Sequence, residues 1–154
     1  MKKILLAIDH TKGSEQAAQT VANWVKAFRP ESIVLLHVQK LFGWSKVGEP
    51  LESDQDIEEI SKALEGSERM EELKMMSEKI VSHFTTLLEQ AGYRNIKAVV
   101  KTGHPAEQIL ATAKEEDVDL IVLGSRGARL HTILLGSVSR EVTNNAEISV
   151  LVAR

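Results

Sequence analysis

Cysteine is absent from this chain, which excludes disulfide bonds, thiolate catalysis and zinc–sulfur sites. Aromatic residues are scarce, at 4%, and neither sign of charge is in large excess, since 19 basic and 22 acidic residues leave a net charge of −3. No basic stripe is visible, so the chain is not expected to bind nucleic acid. No apolar run approaches the roughly 20 residues of a membrane-spanning helix, so no membrane association is expected.

The content of hydrophobic residues is ordinary, 43% of 154 residues, and is sufficient for one compact core. We therefore expect a single domain over residues 1–154. The first apolar run, Ile4–Ile8, stops at Asp9 and is too short for the hydrophobic region of an export signal. The protein is expected to remain in the cytoplasm.

Short apolar runs alternate with helical patterns along the chain. The runs predict five buried strands: Ile4–Ile8, Ile33–Val38, Ile96–Val100, Leu120–Leu123 and Ser149–Ala153. The helical patterns predict Ser14–Phe28, capped by Ser14, a long helix from Ser67 to Gly92, and the shorter helices Ala106–Glu116 and Val138–Thr143. We expect Phe28 and Met76 on the packed faces of their helices. The segment Gln39–Gly66 is predicted to be a loop with one short helix near Ile57–Leu64.

Strands that are apolar throughout, separated by helices, indicate a parallel sheet that is covered on both faces. Right-handed crossovers between such strands give a doubly wound arrangement. The predicted fold is therefore an α/β sandwich with a five-stranded parallel sheet and helices on both faces.

The most distinctive segment follows the fourth strand, where Gly124 and Gly127 flank a short turn. Two glycines three residues apart let the backbone turn sharply and expose its N–H groups. Farther along, Gly136 and Ser137 open the last helix, whose free N–H groups and positive dipole end favour an anion. Together these features predict a phosphate cradle. The alternative is a tight turn followed by a capped helix.

In doubly wound sheets, ligands bind beyond the carboxyl ends of the strands, where the direction of winding reverses. This rule places Asp9, Val38, His104 and the segment 124–127 on one rim. Asp9 would accept hydrogen bonds there from a ribose or an adenine, or alternatively would cap the turn that follows it. His37 lies inside an apolar strand and is predicted to be a hydrogen-bonded core residue rather than a ligand.

Other polar residues supply weaker signals. Arg126 and Arg129 lie in the glycine loop and would either pair with phosphate oxygens or stay solvated. His, Asp and Glu residues never fall at metal-ligand spacing, and no Ser or Lys has a base at motif spacing. The chain also lacks the pattern Gly-x4-Gly-Lys-[Ser/Thr], so an ATPase or nucleotidyl transferase ranks below a binding protein.

Six segments carry a family resemblance: Ile4–Asp9, Leu36–Val38, Gly103–Ile109, Asp119–Gly127, Leu134–Val142 and Val150–Val152. Together they resemble the universal stress proteins over nearly the whole chain. The resemblance implies an ATP-binding member in which Asp9 holds the nucleoside and the main chain at Val38 meets adenine. It also implies that Leu123, Gly124 and Gly127 line the site, and that the phosphates lie on Gly136, Ser137, Val138 and Ser139.

The glycine loop departs from the pattern of the ATP-binding members, Gly-x2-Gly-x9-Gly-[Ser/Thr]. Here only eight residues, Ala128–Leu135, separate Gly127 from Gly136. The leading hypothesis is a cytoplasmic ATP-binding stress-response protein that acts as a sensor or regulator, with Mg²⁺ accompanying the nucleotide. The alternative is a dimeric interaction module of the same fold that binds no nucleotide.

A homodimer is expected in either case. Ser149–Ala153 is a short apolar final strand with no helix after it, and an exposed edge of this kind pairs readily with its own copy. The usual dimer of the resembled family, formed through this strand, implies the same arrangement.

Overall fold

A computed structural model describes residues 2–40, 54–125 and 135–154 of the chain. Within these ranges the elements alternate as β1 Lys3–Ile8, α1 Lys12–Phe28, β2 Ser32–Gln39, α2 Asp54–Leu64, α3 Glu68–Gln90, β3 Ile96–Thr102, α4 Pro105–Glu115, β4 Leu120–Gly124, α5 Ser137–Asn145 and β5 Ser149–Ala153. The strands form one sheet in the order β3-β2-β1-β4-β5. All of its neighbouring strands are parallel.

The sheet separates two hydrophobic clusters, because alternate residues of each strand point to opposite faces. On one face, Leu6 and Leu35 pack with Val21 of α1 and Phe84 of α3. On the other face, the buried residues include Leu5, Leu36 and Ile121 from the strands, Ile109 from α4 and Val142 from α5. Helices therefore cover both faces, and the predicted doubly wound α/β fold is confirmed.

Helix α1 begins earlier than predicted. Its first residue is Lys12, and its N-cap is Thr11, whose side chain makes no capping hydrogen bond. The prediction that Ser14 caps this helix is wrong, because Ser14 lies in the first turn and its hydroxyl bonds to Asp9 instead. Helix α3 does begin as predicted, since the Ser67 side chain accepts a hydrogen bond from the Met70 N–H.

Two apolar residues predicted to be packed are exposed. Phe28, the last residue of α1, is 68% exposed and contacts Trp24 edge-on. Met76 is 56% exposed, because the inward stripe of α3 runs through Ser77, Phe84 and Leu88. Met76 precedes Ser77 by one residue, and so lies about 100° around the helix from that stripe.

The short helix predicted near Ile57–Leu64 is present as α2, whereas residues 41–53 of the predicted loop lie outside the described ranges. Across the described residues, no helix is both long enough and apolar enough to cross a membrane.

Candidate functional site

The order of strands puts the reversal of winding between β1 and β4. The chain moves from β1 outward through β2 to β3, and then returns to β4 on the other side of β1. Ligands of doubly wound sheets bind in the crevice beyond the carboxyl ends of the strands at such a point. Residues Asp9, Val38 and Gly124 stand at the carboxyl ends of β1, β2 and β4, respectively. We define this edge of the sheet as the strand-end rim.

The Asp9 carboxylate is held by the turn that leads into α1. Its Oδ1 accepts hydrogen bonds from the Thr11 N–H at 2.8 Å, from the Thr11 hydroxyl, and from the Ser14 hydroxyl at 2.7 Å. The Ser14 Oγ also accepts a hydrogen bond from the Asp9 N–H at 2.8 Å. The predicted turn-capping role of Asp9 is therefore present in the structure. Among the described residues, none donates a hydrogen bond to its second oxygen, Oδ2.

Gly124 lacks a side chain because the backbone of α1 lies against it. A methyl group built on Gly124 would lie 2.6 Å from the Gly13 Cα, and closer still to the Gly13 carbonyl group. Atoms of a real side chain do not approach a backbone this closely. The glycine at the end of β4 thus lets the first turn of α1 pack directly against the rim.

The start of α5 is fixed to the same region. Gly136 is the N-cap, and its N–H donates to the Ser125 carbonyl oxygen at 2.8 Å. The buried Ser139 hydroxyl contacts the carbonyl oxygens of Gly136 and Ser125, at 3.0 and 3.3 Å. Among the described residues, no side chain caps this helix; Ser137 is exposed, and Val138 packs on the core. Within the described ranges, no side chain therefore satisfies the N–H groups of the first turn, which suit another acceptor.

The end of β2 brings main-chain groups to the rim. The last residue of β2 that pairs with β1 is His37, opposite Ile8. Two residues farther along β2, the Gln39 carbonyl oxygen accepts a hydrogen bond from the Gly103 N–H on the β3 side. Since main-chain groups of successive strand residues face opposite neighbours, the Val38 carbonyl faces the space beyond the end of β1.

Side chains around this strand end serve the fold. The Gln39 amide donates to the Ser77 hydroxyl at 2.7 Å, which ties β2 to α3, and its oxygen accepts from the Thr102 hydroxyl at 3.1 Å. His37 is buried, and its Nδ1 lies 3.1 Å from the Ile8 carbonyl oxygen. The prediction that His37 is a hydrogen-bonded core residue is confirmed.

The remaining predicted residues differ in their surroundings. Leu123 is 3% exposed and belongs to the core cluster under α4 and α5. His104 is the N-cap of α4 without a capping side-chain bond, and its Nδ1 lies 3.9 Å from a carboxylate oxygen of Glu141 on α5. Arg126, Gly127 and Arg129 lie outside the described residues.

Two residues of the rim, Gly13 and Ser14, are not predicted by the sequence patterns. Gly13 is a helix residue whose only sequence signal is the lack of a side chain. Ser14 fits the pattern of a helix cap, although its spacing of five residues from Asp9 also suits a contact back to that carboxylate. Within the described ranges, no group of three or more His, Asp and Glu residues is placed to hold a metal ion.

The strand ends, the start of α5 and the contact between Gly124 and Gly13 all lie within the residues that the profile of one known family covers. The sequence profile of the Universal stress protein family matches residues 1–154. The chain belongs to the universal stress protein family.

Relatives of known sequence and structure agree with this membership. Universal stress protein MJ0577 of Methanocaldococcus jannaschii is 32% identical over 160 residues, covering 99% of this chain and 94% of that protein. Universal stress protein YxiE of Bacillus subtilis is 31% identical over 158 residues, covering 99% and 98%. A solved structure of MJ0577 superposes with a TM-score of 0.76 at 29% identity, over 99% of this chain and 94% of that one.

Proposed function

We propose that this universal stress protein binds ATP at the strand-end rim and acts in the cytoplasm as a nucleotide-dependent sensor or regulator. The adenosine lies against Asp9 and the main chain of Val38, and Leu123 and Gly124 form the floor beneath it. The phosphates lie on the first turn of α5, at Gly136, Ser137, Val138 and Ser139, with Arg126 and Gly127 contributing from the glycine loop.

The observation that carries this proposal is the position of an acceptor and a set of donors at one edge of the sheet. The Oδ2 of Asp9, to which no described residue donates, can accept hydrogen bonds, as the hydroxyl groups of a ribose require. The first turn of α5 offers N–H groups and a positive dipole end, as a phosphate requires. A ribonucleotide carries both kinds of group in one molecule.

Structures of other family members support a nucleotide ligand. One universal stress protein was solved in complex with cAMP, with a TM-score of 0.67 to this chain at 19% identity. A family member from Arabidopsis thaliana was solved with AMP bound, with a TM-score of 0.59 at 18% identity. Both ligands contain the adenosine that we place at Asp9 and Val38.

The proposal is tested by calorimetric titration of the purified protein with ATP, with and without Mg²⁺. We expect binding with one site per chain, and an ATP-induced rise in melting temperature that follows from linkage. Magnesium would be held mainly by the phosphates, since the described residues supply no carboxylate cluster for it. Absence of both heat and thermal shift at millimolar ATP with Mg²⁺ would refute the proposal.

We further propose a homodimer through β5. The two edges of the sheet differ in charge. Strand β3 carries Lys97 and Lys101, which pair with Glu116, the C-cap of α4, and with Glu115, its last residue, whereas β5 has no charged residue. Charged residues on an edge strand oppose pairing with another chain. The uncharged edge of β5 is therefore the one suited to a second copy.

A second candidate is a dimeric interaction module that has lost nucleotide binding. The observation in its favour is the loop of eight residues between Gly127 and Gly136, one shorter than in the ATP-binding pattern. This candidate predicts a dimer by sedimentation together with no response to ATP. The titration therefore separates the two candidates.

A further inference from the structure

The orientation of the Asp9 side chain depends on which of its two oxygens is already bonded. Three donors converge on Oδ1: the N–H and hydroxyl of Thr11 and the hydroxyl of Ser14. An ionised carboxylate has about four acceptor positions over its two oxygens, so three donors fill one oxygen. The acceptor capacity that remains belongs to Oδ2.

Ser14 differs from Thr11 in how it contacts Asp9. Its hydroxyl group donates to Oδ1 at 2.7 Å and accepts from the Asp9 main-chain N–H at 2.8 Å. It thus bonds both the main chain and the side chain of Asp9, and so holds Oδ1 close to the Asp9 backbone. Thr11 bonds only the carboxylate end.

Ser14 is itself held in place by packing. The residue is 5% exposed, so water does not readily replace it as the partner of Asp9. The preceding residue, Gly13, contacts the backbone of Gly124 at the end of β4. The first turn of α1 therefore contacts the ends of both strands that flank the reversal of winding. Through its hydrogen bonds, Ser14 fixes the position of the Asp9 carboxylate relative to this turn.

We propose that Ser14 is a positioning residue of the ligand site, which loads Oδ1 of Asp9 and so presents Oδ2 to the hydroxyl groups of a ribose. The inference rests on the proposed nucleotide binding, and it adds a residue that never touches the ligand. It predicts that loss of the Ser14 hydroxyl reduces only the binding free energy that the ribose hydroxyl groups contribute.

The experiment compares ATP with 2′,3′-dideoxy-ATP, which lacks both ribose hydroxyls, by calorimetric titration. We expect the parent protein to bind ATP about tenfold more tightly than the dideoxy compound, as for a hydrogen bond to a charged group. In Ser14→Ala, affinity for ATP should fall about fivefold, as for the loss of one neutral hydrogen bond, while affinity for the dideoxy compound stays unchanged. The same substitution in an Asp9→Ala background should have no effect on ATP, because residues that act through one another are not additive.

Ser77→Ala serves as the matched control. It removes another buried serine hydroxyl, that of Ser77 on α3, which accepts a hydrogen bond from the Gln39 amide at the end of β2 and makes none with Asp9. This variant is expected to lose stability without a change in the ratio of the two affinities.

The outcomes are distinguishable. A parent that binds neither nucleotide refutes the proposed function itself. If the parent binds ATP, the role of Ser14 is overturned by equal parental affinities for the two nucleotides, by an equal loss for both in Ser14→Ala, or by additive effects of Ser14→Ala and Asp9→Ala. Selective loss for ATP, absent from the Asp9→Ala background, supports it.

Discussion

Replacing Gly124 by alanine tests whether the contact between β4 and α1 holds the strand-end rim together. The added methyl group would lie 2.6 Å from the Gly13 Cα and closer to the Gly13 carbonyl group, whereas ordinary contacts begin near 3.4 Å. The two backbones must therefore separate by about 1 Å, because neither partner is a flexible side chain. Overpacking of this kind costs about 3 kcal/mol, the upper part of its usual range.

This loss corresponds to a fall in melting temperature of about 6–12 °C for a chain of this size. Urea unfolding, followed by far-UV circular dichroism, gives the free energy directly, provided that the slope with urea is unchanged. Because Asp9 and Ser14 share the displaced turn, we also expect weaker binding of ATP by the folded variant. That loss of binding separates a disturbed rim from a general loss of stability.

Gly92→Ala is the matched control for this experiment. Gly92 has a φ of +91°, and no atom lies within 4 Å of the position that an added methyl group would take, so its substitution incurs backbone strain without a steric clash. Strain of that kind costs about 1–2 kcal/mol. A Gly124→Ala variant whose free energy of unfolding lies within about 0.5 kcal/mol of the parent's, or that is less destabilised than Gly92→Ala, would refute the packing argument.

Three further predictions concern separate parts of the molecule. Hydrogen bonds from the Lys3 and Lys2 N–H groups lower the pKa of Asp119 below its ordinary value of 3.8. The Asp119 carboxylate therefore stabilises the fold at pH values above 3.8, and this stabilisation is lost as the pH falls through the lowered pKa. Asp119→Asn should therefore be less stable than the parent in urea unfolding at pH 7, with a difference that shrinks towards pH 2; a constant difference would contradict this. Gly136→Val should abolish the ATP-induced rise in melting temperature, because a side chain would occupy phosphate space; an equal rise in parent and variant would place Gly136 outside the site. Val150→Lys should shift the dimer towards monomer in sedimentation, because it puts a charge into the β5 seam; a concentration-independent 17 kDa monomer for the parent would exclude the dimer itself.

Much of the fold could be predicted from the sequence, because it follows from short apolar runs and from residues that mark helix ends. The strands are predicted by uninterrupted apolar runs such as Ile4–Ile8, and burial on both faces of a parallel sheet requires such runs. Ser67 and Gly92 mark the ends of α3 through local hydrogen bonding and a positive φ that glycine accepts. The resemblance to universal stress proteins, confirmed by the family profile, depended on the same linear segments.

The buried faces of helices were predicted less well, because the spacing of apolar residues indicates an apolar stripe but not which element packs against it. Met76 and Phe28 fit a helical spacing of apolar residues, yet both are exposed. The polar Ser77 takes the buried position of α3 instead, because Gln39 at the end of β2 supplies it with a hydrogen-bond partner. That partner is 38 residues away along the chain.

In the candidate site, too, local residue patterns were predictable from the sequence, whereas contacts between distant elements were not. The residue types that suit a nucleotide are visible in the amino-acid sequence: a carboxylate after β1, glycines after β4, and Gly136 with Ser137 at a helix start. What these residues contact depends on how the elements pack. The Gly124 backbone meets Gly13, and the Asp9 carboxylate is oriented by Ser14, because the first turn of α1 packs between the ends of β1 and β4. Contacts between elements distant in sequence leave no period or motif in the sequence, and therefore appear only when the chain is folded.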